Sequence, residues 1–216
     1  LSQVEARSSG SGTTAVGGTY SSGGLSPGTL YALGLDGTFS ALHSFSVAVD
    51  GSSPSGLAAA SDGSFYGATS AGGSYGSGTL FKATAQGTIT TLYNFSAAPA
   101  NASGLEINSE GAFPVSGILA GNDGTLYGGT VFGGSNGTGS LFSLAPDNTL
   151  TTLYQFSSLS SGINSDGAGV TSTPMRASDG NLYGVTTLGG TNGDGGNIGV
   201  WSNDHTSFAG HLSVAG

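Results

Sequence analysis

Short runs of alternating apolar and polar residues follow one another along the chain, and glycine-rich turns separate them. The clearest run, at 88–95, reads Thr-Ile-Thr-Thr-Leu-Tyr-Asn-Phe, and the run at 149–156 reads Thr-Leu-Thr-Thr-Leu-Tyr-Gln-Phe. A period of two is typical of strands that bury one face, and no run shows the 3.6-residue period of a helix. The pattern therefore predicts an all-β protein.

One order of features occurs four times. Each copy has a short apolar run that ends in a turn, a run such as Leu-Tyr-Gly, a Gly-Gly loop, a run such as Thr-Leu-Phe and a last run such as Thr-Leu-Tyr-x-Phe. Three of the first turns are Asp-Gly, which favours hairpins because the glycine can take a positive φ. Four strands joined by turns predict one antiparallel sheet per copy, the unit of a propeller blade. The predicted repeats form a single domain, 1–216, and cover about 1–48, 54–97, 113–157 and 171–216.

We predict that the four sheets form a small four-bladed β-propeller, with the first strand of each repeat at its centre. These strands are expected within 1–10, 54–63, 114–124 and 171–180, where small residues such as Leu-Ala-Ala-Ala at 57–60 suit a narrow centre. A β-solenoid or a stacked-sheet array would use the same four-strand unit, and the sequence leaves both open. Because the chain starts on a first strand and ends on a fourth, the ring must close by contact between sheet faces or through another subunit.

The composition excludes several classes of protein. Gly accounts for 42 of the 216 residues, only 7% are charged, and 3 Lys+Arg face 12 Asp+Glu for a net charge of -9. Such a chain cannot neutralise a phosphate backbone, so we expect no nucleic-acid partner. Cysteine is absent, which rules out disulfides and thiolate metal sites. No apolar run is long enough to span a membrane as a helix. Low charge and the start at Leu1 lead us to expect an extracellular or cell-surface protein whose signal peptide has been removed.

Residues for catalysis are scarce. The strings at 72–76 and 133–137 fit a Gly-x-Ser-x-Gly pattern, but they lie in repeated glycine loops, whereas a nucleophile elbow needs a helix after the serine. His43 and His211 fall where the repeats have Tyr93 and Tyr154, so we expect them to replace tyrosine structurally. We predict no catalytic residue, no cofactor and no metal site.

Weaker signals remain in the acidic residues. His205 beside Asp204 is the only neighbouring histidine–carboxylate pair, and 189–197 faintly resembles a calcium-binding nonapeptide in a single copy. Glu106 and Glu110 fall in the insertion at 98–112, where we expect a solvated loop.

Two further sets of residues are candidate sites. Asn94, Asn101 and Asn136 each begin an Asn-x-Ser/Thr sequon and are candidate glycosylation sites. Arg7 and Arg176 are expected on the central strands of the first and last repeats, and Glu5 lies on the same strand as Arg7. We interpret these three as an ion pair at the closure seam of the ring, with an anion-binding spot as the alternative.

The repeated string resembles a known one. Asp-Gly-x-Leu-Tyr-Gly, Gly-Gly, Gly-Thr-Leu-Phe and Thr-Leu-Tyr-x-Phe follow in the same order as in the GloVer-type tandem repeats of secreted and surface-anchored bacterial proteins, and more distantly resemble NHL-type propellers. The resemblance covers nearly the whole chain and is most specific at 54–97 and 113–157, whereas the first and last repeats depart from it. It implies export and a cell-surface or matrix setting, and it carries no catalytic motif.

These observations predict a non-enzymatic extracellular scaffold that assembles with copies of itself into a fibre or surface matrix. Degenerate end repeats are typical of capping or contact-making repeats. The alternative is an adhesive module that binds carbohydrate or a surface through Tyr, Trp201 and Asn side chains at a propeller mouth, and a lyase or hydrolase ranks third. A ring of exposed tyrosines would favour binding, and buried tyrosines would favour the scaffold.

Overall fold

The computed structural model describes residues 10–18, 27–190, 197–201 and 208–213. These ranges hold β-strands, turns and loops, and no helix. The strands of the first two sheets are β1 (Gly10–Thr14), β2 (Thr29–Leu33) and β3 (Phe39–Ser44), then β4 (Ser52–Pro54), β5 (Ala58–Ala59), β6 (Phe65–Ala71), β7 (Thr79–Ala83) and β8 (Ile89–Asn94). The third sheet has β9 (Leu119–Ala120), β10 (Leu126–Gly129), β11 (Ser140–Leu144) and β12 (Leu150–Gln155). The fourth has β13 (Ala168–Val170), β14 (Met175–Arg176), β15 (Leu182–Leu188), β16 (Asn197–Trp201) and β17 (Phe208–Ser213).

All strand pairs within the four sheets are antiparallel, and each sheet uses strands that follow one another in the chain. The strand orders are β1-β2-β3, β4-β6-β7-β8, β12-β11-β10-β9 and β13-β15-β16-β17, with β5 and β14 also paired to β6 and β15. The predicted all-β fold of four tandem antiparallel, blade-like sheets is therefore confirmed. The first strand predicted for the first repeat, at 1–10, lies outside the described part of the chain except for Gly10, which begins β1.

The innermost strand differs from its prediction, because it is broken into short pieces instead of one continuous run. In the second sheet, β4 and β5 pair with opposite ends of β6, and β13 and β14 divide β15 in the same way. Pro54 ends β4, and proline cannot donate a ladder hydrogen bond.

Small residues let these inner segments approach one another, as the sequence predicts for a narrow centre. Ser55 Oγ donates to the carbonyl of Ser116 at 3.0 Å, across two sheets. A Cβ atom added to Gly56 would lie 3.9 Å from Gly117 Cα.

Consecutive sheets pack face to face through three apolar seams. The first seam joins Leu30 and Phe45 to Phe81 and Ala83, and Leu42, Leu57, Phe65 and Ile89 pack around them. The second seam buries Ala68, Leu80, Phe95, Ile118, Leu126, Phe142 and Leu144. The third buries Tyr127 and Leu182 with Leu119, Leu141 and Leu153 around them. No apolar cluster of the described residues joins the first sheet to the fourth. The four sheets therefore form a propeller-like array, and the three seams do not include a contact that would close it into a ring.

The last hairpin of the first three sheets carries a bulge at equivalent positions. The register shifts between Leu30 and Tyr31, between Leu80 and Phe81, and between Leu141 and Phe142. The unpaired residue on the last strand is leucine each time, Leu42, Leu92 or Leu153, and each packs into the seam with the next sheet. The bulge thus supplies one side chain of every seam.

Candidate functional site

The most regular polar arrangement in the molecule is a contact between a ring and a carboxylate, which occurs after each of the first three sheets. His43 Nε2 lies 2.6 Å from Asp50 Oδ2. The Tyr93 hydroxyl donates to Glu110 Oε2 at 2.8 Å, and the Tyr154 hydroxyl donates to Asp166 Oδ2 at 2.7 Å. Each ring also meets a buried phenylalanine two residues later edge to face, with centroids 5.1–5.4 Å apart. The predicted replacement of tyrosine by His43 is thereby confirmed.

Each carboxylate also accepts a backbone amide that follows the buried phenylalanine. Ser46 N donates to Asp50 Oδ1 at 2.6 Å, and Ser157 N donates to Asp166 Oδ2 at 2.8 Å. Asp50 is only 6% exposed, as is Asp166. A buried carboxylate is costly unless its oxygens are paired, and these oxygens are.

The backbone of the same acidic residue reaches the next sheet. Thr79 Oγ1 donates to the Asp50 carbonyl at 3.0 Å, and Ser140 Oγ donates to the Glu110 carbonyl at 2.6 Å. We call each set of ring, carboxylate and next-sheet hydroxyl an inter-sheet clip; its members are His43, Asp50 and Thr79 in one case and Tyr93, Glu110 and Ser140 in the other. Tyr154 and Asp166 form the ring and acid of the corresponding contact after the third sheet.

Glycine follows the acid in every case because the chain turns sharply against the next sheet. Gly51, Gly111 and Gly167 have φ of 100°, 99° and 88°. A Cβ atom at any of them would collide with the hydroxyl oxygen of a threonine in the next sheet. This acid–glycine pair is the sequence signal that could have identified the clips, which the sequence analysis missed.

Asparagine supports the two longer connections. The Asn108 side chain donates to the carbonyls of Ser96 and Gly111 and accepts from the amide of Gly134. Asn164 makes the same set of bonds, to the carbonyls of Ser157 and Gly167 and from the amide of Gly190. The same asparagine hydrogen bonds therefore fix both connections, despite their different lengths.

Burial raises the pKa of Tyr93, and its hydrogen bond to Glu110 raises it further. The pKa of Tyr154 rises for the same reasons, with burial first and Asp166 second. The phenols therefore stay protonated and act as donors, and the carboxylates act as acceptors. Such an arrangement links the sheets.

Glu110 corrects the expectation of a solvated loop. It lies in the predicted insertion, yet both carboxylate oxygens are bound, one by Tyr93 and one by the amide of Ser96. Glu106 has its backbone carbonyl bound by the amide of Gly133. The insertion is therefore an ordered part of the packing between the second and third sheets.

The opposite end of the sheets carries a second set of carboxylates, in hairpin turns. Asp36, Asp62, Asp123, Asp147 and Asp179 each accept the amide two residues later, at 2.9–3.1 Å. This bond is the largest cause of the lowered pKa of Asp36, Asp123, Asp147 and Asp179, whereas the Ser64 hydroxyl is the largest for Asp62. Local turn bonds are the role that the Asp-Gly pattern predicts.

Basic side chains at this end stack on tyrosines of the Tyr-Gly strands. The Arg176 guanidinium lies 5.1 Å from the ring centre of Tyr127, and Lys82 Nζ lies 5.5 Å from that of Tyr66. Lys82 also pairs with Asp62 at 3.0 Å. Arg176 thus contacts the third sheet. Glu5 and Arg7 lie outside the described residues, so their pairing with Arg176 at a closure seam stays a prediction.

The three sequon asparagines all take part in local structure. Asn94 Oδ1 accepts the amide of Ser74, and Asn101 Oδ1 accepts the amides of Ser103 and Leu105. Asn136 Nδ2 donates to the Phe156 carbonyl at 2.8 Å. That nitrogen is the atom to which a glycan would be attached, so modification of Asn136 would replace one of its two N–H hydrogens. Glycosylation at all three stays a prediction.

The remaining candidates divide between loops and undescribed residues. Ser74 and Ser135 lie in loops that lead into strands, not helices, so neither sits in a nucleophile elbow. Leu212 is the register partner of Ile198, as Tyr93 is of Leu80, so the expected equivalence of His211 and Tyr93 is wrong by one residue. Asp204, His205 and most of 189–197 lie outside the described ranges.

Two features are absent from the part of the chain that the structure describes. No group of three or more His, Asp or Glu side chains suited to a metal ion occurs there. Nor does any helix there have the length and apolar character needed to cross a membrane.

Comparison with known proteins gives one extensive match. The family model of the Gloeobacter/Verrucomicrobia repeat matches residues 3–207. No curated protein matches the chain. Among solved structures, a streptogramin B lyase is similar at 18% identity and a TM-score of 0.47, covering 82% of this chain and 45% of the lyase. A protein assigned as a gluconolactonase is similar at 15% identity and a TM-score of 0.48, covering 79% of this chain and 51% of that one. The chain thus spans about half the length of both, and likenesses this distant say nothing about its activity.

Proposed function

The chain belongs to the Gloeobacter/Verrucomicrobia repeat family, and we propose that it is a non-enzymatic extracellular scaffold that assembles with copies of itself. The observation that carries this proposal is a match between its two outward sheet faces and its internal seams. The second to fourth sheets each bury one face against the sheet before them, and the first sheet exposes the corresponding face. The first three sheets each bury the other face against the sheet after them, and the fourth sheet exposes the corresponding face.

The outward face of the first sheet carries Tyr31, Leu33 and Phe39. Tyr31 stacks on Phe39 with ring centroids 5.3 Å apart, and Phe39 is 59% exposed. The strand registers make Tyr31 equivalent to Phe81, which is fully buried in the first seam. This face therefore has the side chains of a seam without a described partner.

The outward face of the fourth sheet carries Met175 and Val185. Met175 is 63% exposed and Val185 is 42% exposed. Val185 follows Gly184 as Ala68 follows Gly67, and Ala68 is fully buried in the second seam. Exposed apolar surface of this kind marks an interaction site. The outward faces of the first and fourth sheets correspond to the two opposite sides of an internal seam. The contact between copies is therefore head to tail, with the fourth sheet of one copy packed on the first sheet of the next.

The polar groups support a structural role. The clip carboxylates are bound to a histidine or a tyrosine and to backbone amides, and the clips join neighbouring sheets. The turn aspartates bind amides within their own hairpin turns. Of the seven described tyrosines, only Tyr75 is exposed; Tyr127 is buried, and the half-buried ones are Tyr31, Tyr66, Tyr93, Tyr154 and Tyr183. The described residues therefore form no ring of exposed tyrosines. This favours the scaffold over an adhesive site, which stays an alternative prediction.

Two charge substitutions test the assembly. Phe39→Lys should disable the first face and Val185→Asp the fourth, so each variant alone should stay monomeric in light scattering while the wild-type chain forms larger species. An equimolar mixture of the two retains one intact face of each kind and should form dimers. Val16→Lys, at an exposed loop position off both faces, is the matched control and should assemble like the wild type.

Ring closure within one chain would contradict the proposal. In that case the wild-type chain would be strictly monomeric at all concentrations in light scattering and in electron micrographs of native material. The extracellular setting is tested separately, by locating the native protein in the medium or on the cell surface.

A further inference from the structure

Exposed apolar side chains gather at the end of the sheets that carries the Gly-Gly loops, opposite the Asp-Gly turns. Leu105, Phe132 and Leu188 are all exposed there, although they come from a connection and from two different sheets. Together with the half-buried Val131 and Leu159 they line one cavity. Its volume is about 390 Å³, within the range of about 300–1,000 Å³ that is typical of small-molecule sites.

Hydrogen bonds and packing fix the walls of this cavity. The amide of Asn101 donates to the Leu105 carbonyl at 2.8 Å, and Asn101 Oδ1 accepts the amide of Leu105 in return. Leu105 also packs closely on Gly137, because a Cβ atom added there would lie 2.9 Å from Leu105 Cβ. The Phe132 ring rests edge to face on Phe113, with centroids 6.0 Å apart. The cavity is therefore formed before any ligand enters it.

Glu106 is the one ionisable residue among those that line the cavity. Its carboxylate has no hydrogen-bond or ion-pair partner among the described residues, whereas that of Glu110 is fully bound. No basic residue belongs to the lining, and Lys82 and Arg176 lie at the opposite end of the sheets. A half-buried carboxylate without a partner favours a cation beside it.

We propose that this cavity binds a small organic cation, an amine carried on an apolar body. The apolar body displaces water from Leu105, Phe132 and Leu188, and the ammonium group pairs with Glu106. A carboxylate on the same body is disfavoured, since Glu106 repels it and no basic side chain of the lining compensates its lost hydration.

The site does not depend on the proposed assembly of the chain. None of the residues named on the two outward sheet faces lines the cavity. Leu188 shares strand β15 with Val185, but it lies an odd number of residues further along, so the two side chains point to opposite faces of the sheet.

Three ring compounds of similar size that differ in their end group test the proposal. Fluorophenethylamine is a cation, fluorophenethyl alcohol is neutral and fluorophenylacetate is an anion. Titration of the wild-type chain, followed by fluorine NMR, should rank their affinities in this order, with the amine at least about threefold tighter than the alcohol. Added salt should weaken binding of the amine and leave that of the alcohol unchanged, because salt screens only the ion pair.

Glu106→Gln keeps the shape of the side chain and removes its charge, so this variant should bind the amine only as well as the alcohol. Asp147→Asn is the matched control. It removes one negative charge from an exposed turn of the third sheet, outside the lining, and should bind all three compounds like the wild type.

Ala100→Trp fills the cavity from an exposed position in its lining and should abolish binding of the amine and of the alcohol. Ala97→Trp, at an exposed position of the same connection outside the lining, should bind like the wild type. Leu188→Trp fills the cavity from the fourth sheet and serves if Ala100→Trp does not fold.

The proposal is overturned if the amine does not bind the wild-type chain, if the alcohol binds as tightly as the amine, or if a folded filling variant binds as the wild type does. Repeating the titration with the Phe39→Lys variant separates this result from assembly, because the cavity should bind whether or not the chains associate.

Discussion

The hydroxyl of Tyr93 donates a 2.8 Å hydrogen bond to Glu110, and this contact joins the last strand of the second sheet to the connection that leads into the third. Hydrogen bonds to a charged group contribute about 1.5–3 kcal/mol. Tyr93→Phe removes the donor and leaves one carboxylate oxygen without it, so we expect the free energy of unfolding to fall by about 1–3 kcal/mol. Urea unfolding measures this loss.

Tyr75→Phe is the matched control for that change. Tyr75 is 61% exposed in the loop between β6 and β7, so its hydroxyl should be dispensable. We expect a change within about 0.5 kcal/mol. An equal loss in both variants would show that the Tyr93–Glu110 bond does not stabilise the fold.

The clip after the first sheet uses histidine where the next two use tyrosine, which permits a repair experiment. Tyr154 pairs with an aspartate, so a tyrosine at position 43 has a precedent for bonding Asp50. His43→Phe should lower the urea midpoint because Asp50 is buried and loses a partner. His43→Tyr should restore it; a tyrosine variant as unstable as the phenylalanine variant would contradict the equivalence of the clips.

Alanine substitution of two equivalent glycines should give opposite results. At Gly67 the added methyl group meets the Phe81 ring, and overpacking of this kind costs about 1–3 kcal/mol. At Gly184 the nearest atom of the described residues is Ser172 Oγ, 3.8 Å away, so Gly184→Ala should be tolerated. Thermal unfolding compares the two. A loss at Gly184 as large as that at Gly67 would mean that the seam between the third and fourth sheets is as full as the others.

Stability should fall in acid because the turn aspartates have lowered pKa values. Each stays ionised in the folded chain at a pH where the unfolded chain already takes up protons, so their contribution is present above about pH 4 and is lost below it as the pH falls through the folded values. The melting temperature should therefore drop between about pH 4 and pH 2. Replacing Asp36, Asp123 and Asp147 by Asn keeps an acceptor in each turn and should flatten this drop; an unchanged acid profile would contradict the assignment.

Sequence pattern predicted the strands well wherever alternation and turn residues agreed. The run at 88–95 became β8, and the Asp-Gly turns at 62–63 and 123–124 became hairpin turns, because these signals are local. The inner strands were predicted to be longer than they are. Their small residues are compatible with a strand throughout, but prolines and the close approach of neighbouring backbones interrupt the pairing.

The clips were missed for a different reason. Asp50, Glu110 and Asp166 stand at different distances from the preceding buried phenylalanine and in connections without alternation, so the acid–glycine pair that they share falls at no fixed position in the repeat. The misplacement of His211 has a similar origin. The register shift of the last hairpin falls between Gly199 and Trp201 in the fourth sheet, one residue later than in the others.

The bulges in the last hairpins also bear on how the chain resists misassembly. Strands β3, β8 and β12 are sheet edges, and a regular edge presents free amides and carbonyls to any passing strand. A bulge interrupts that spacing and increases the local twist. Lateral addition of a foreign strand is therefore disfavoured along these three edges, which disfavours amyloid-like growth of a weakly charged, glycine-rich chain and is compatible with the association through outward faces that we propose.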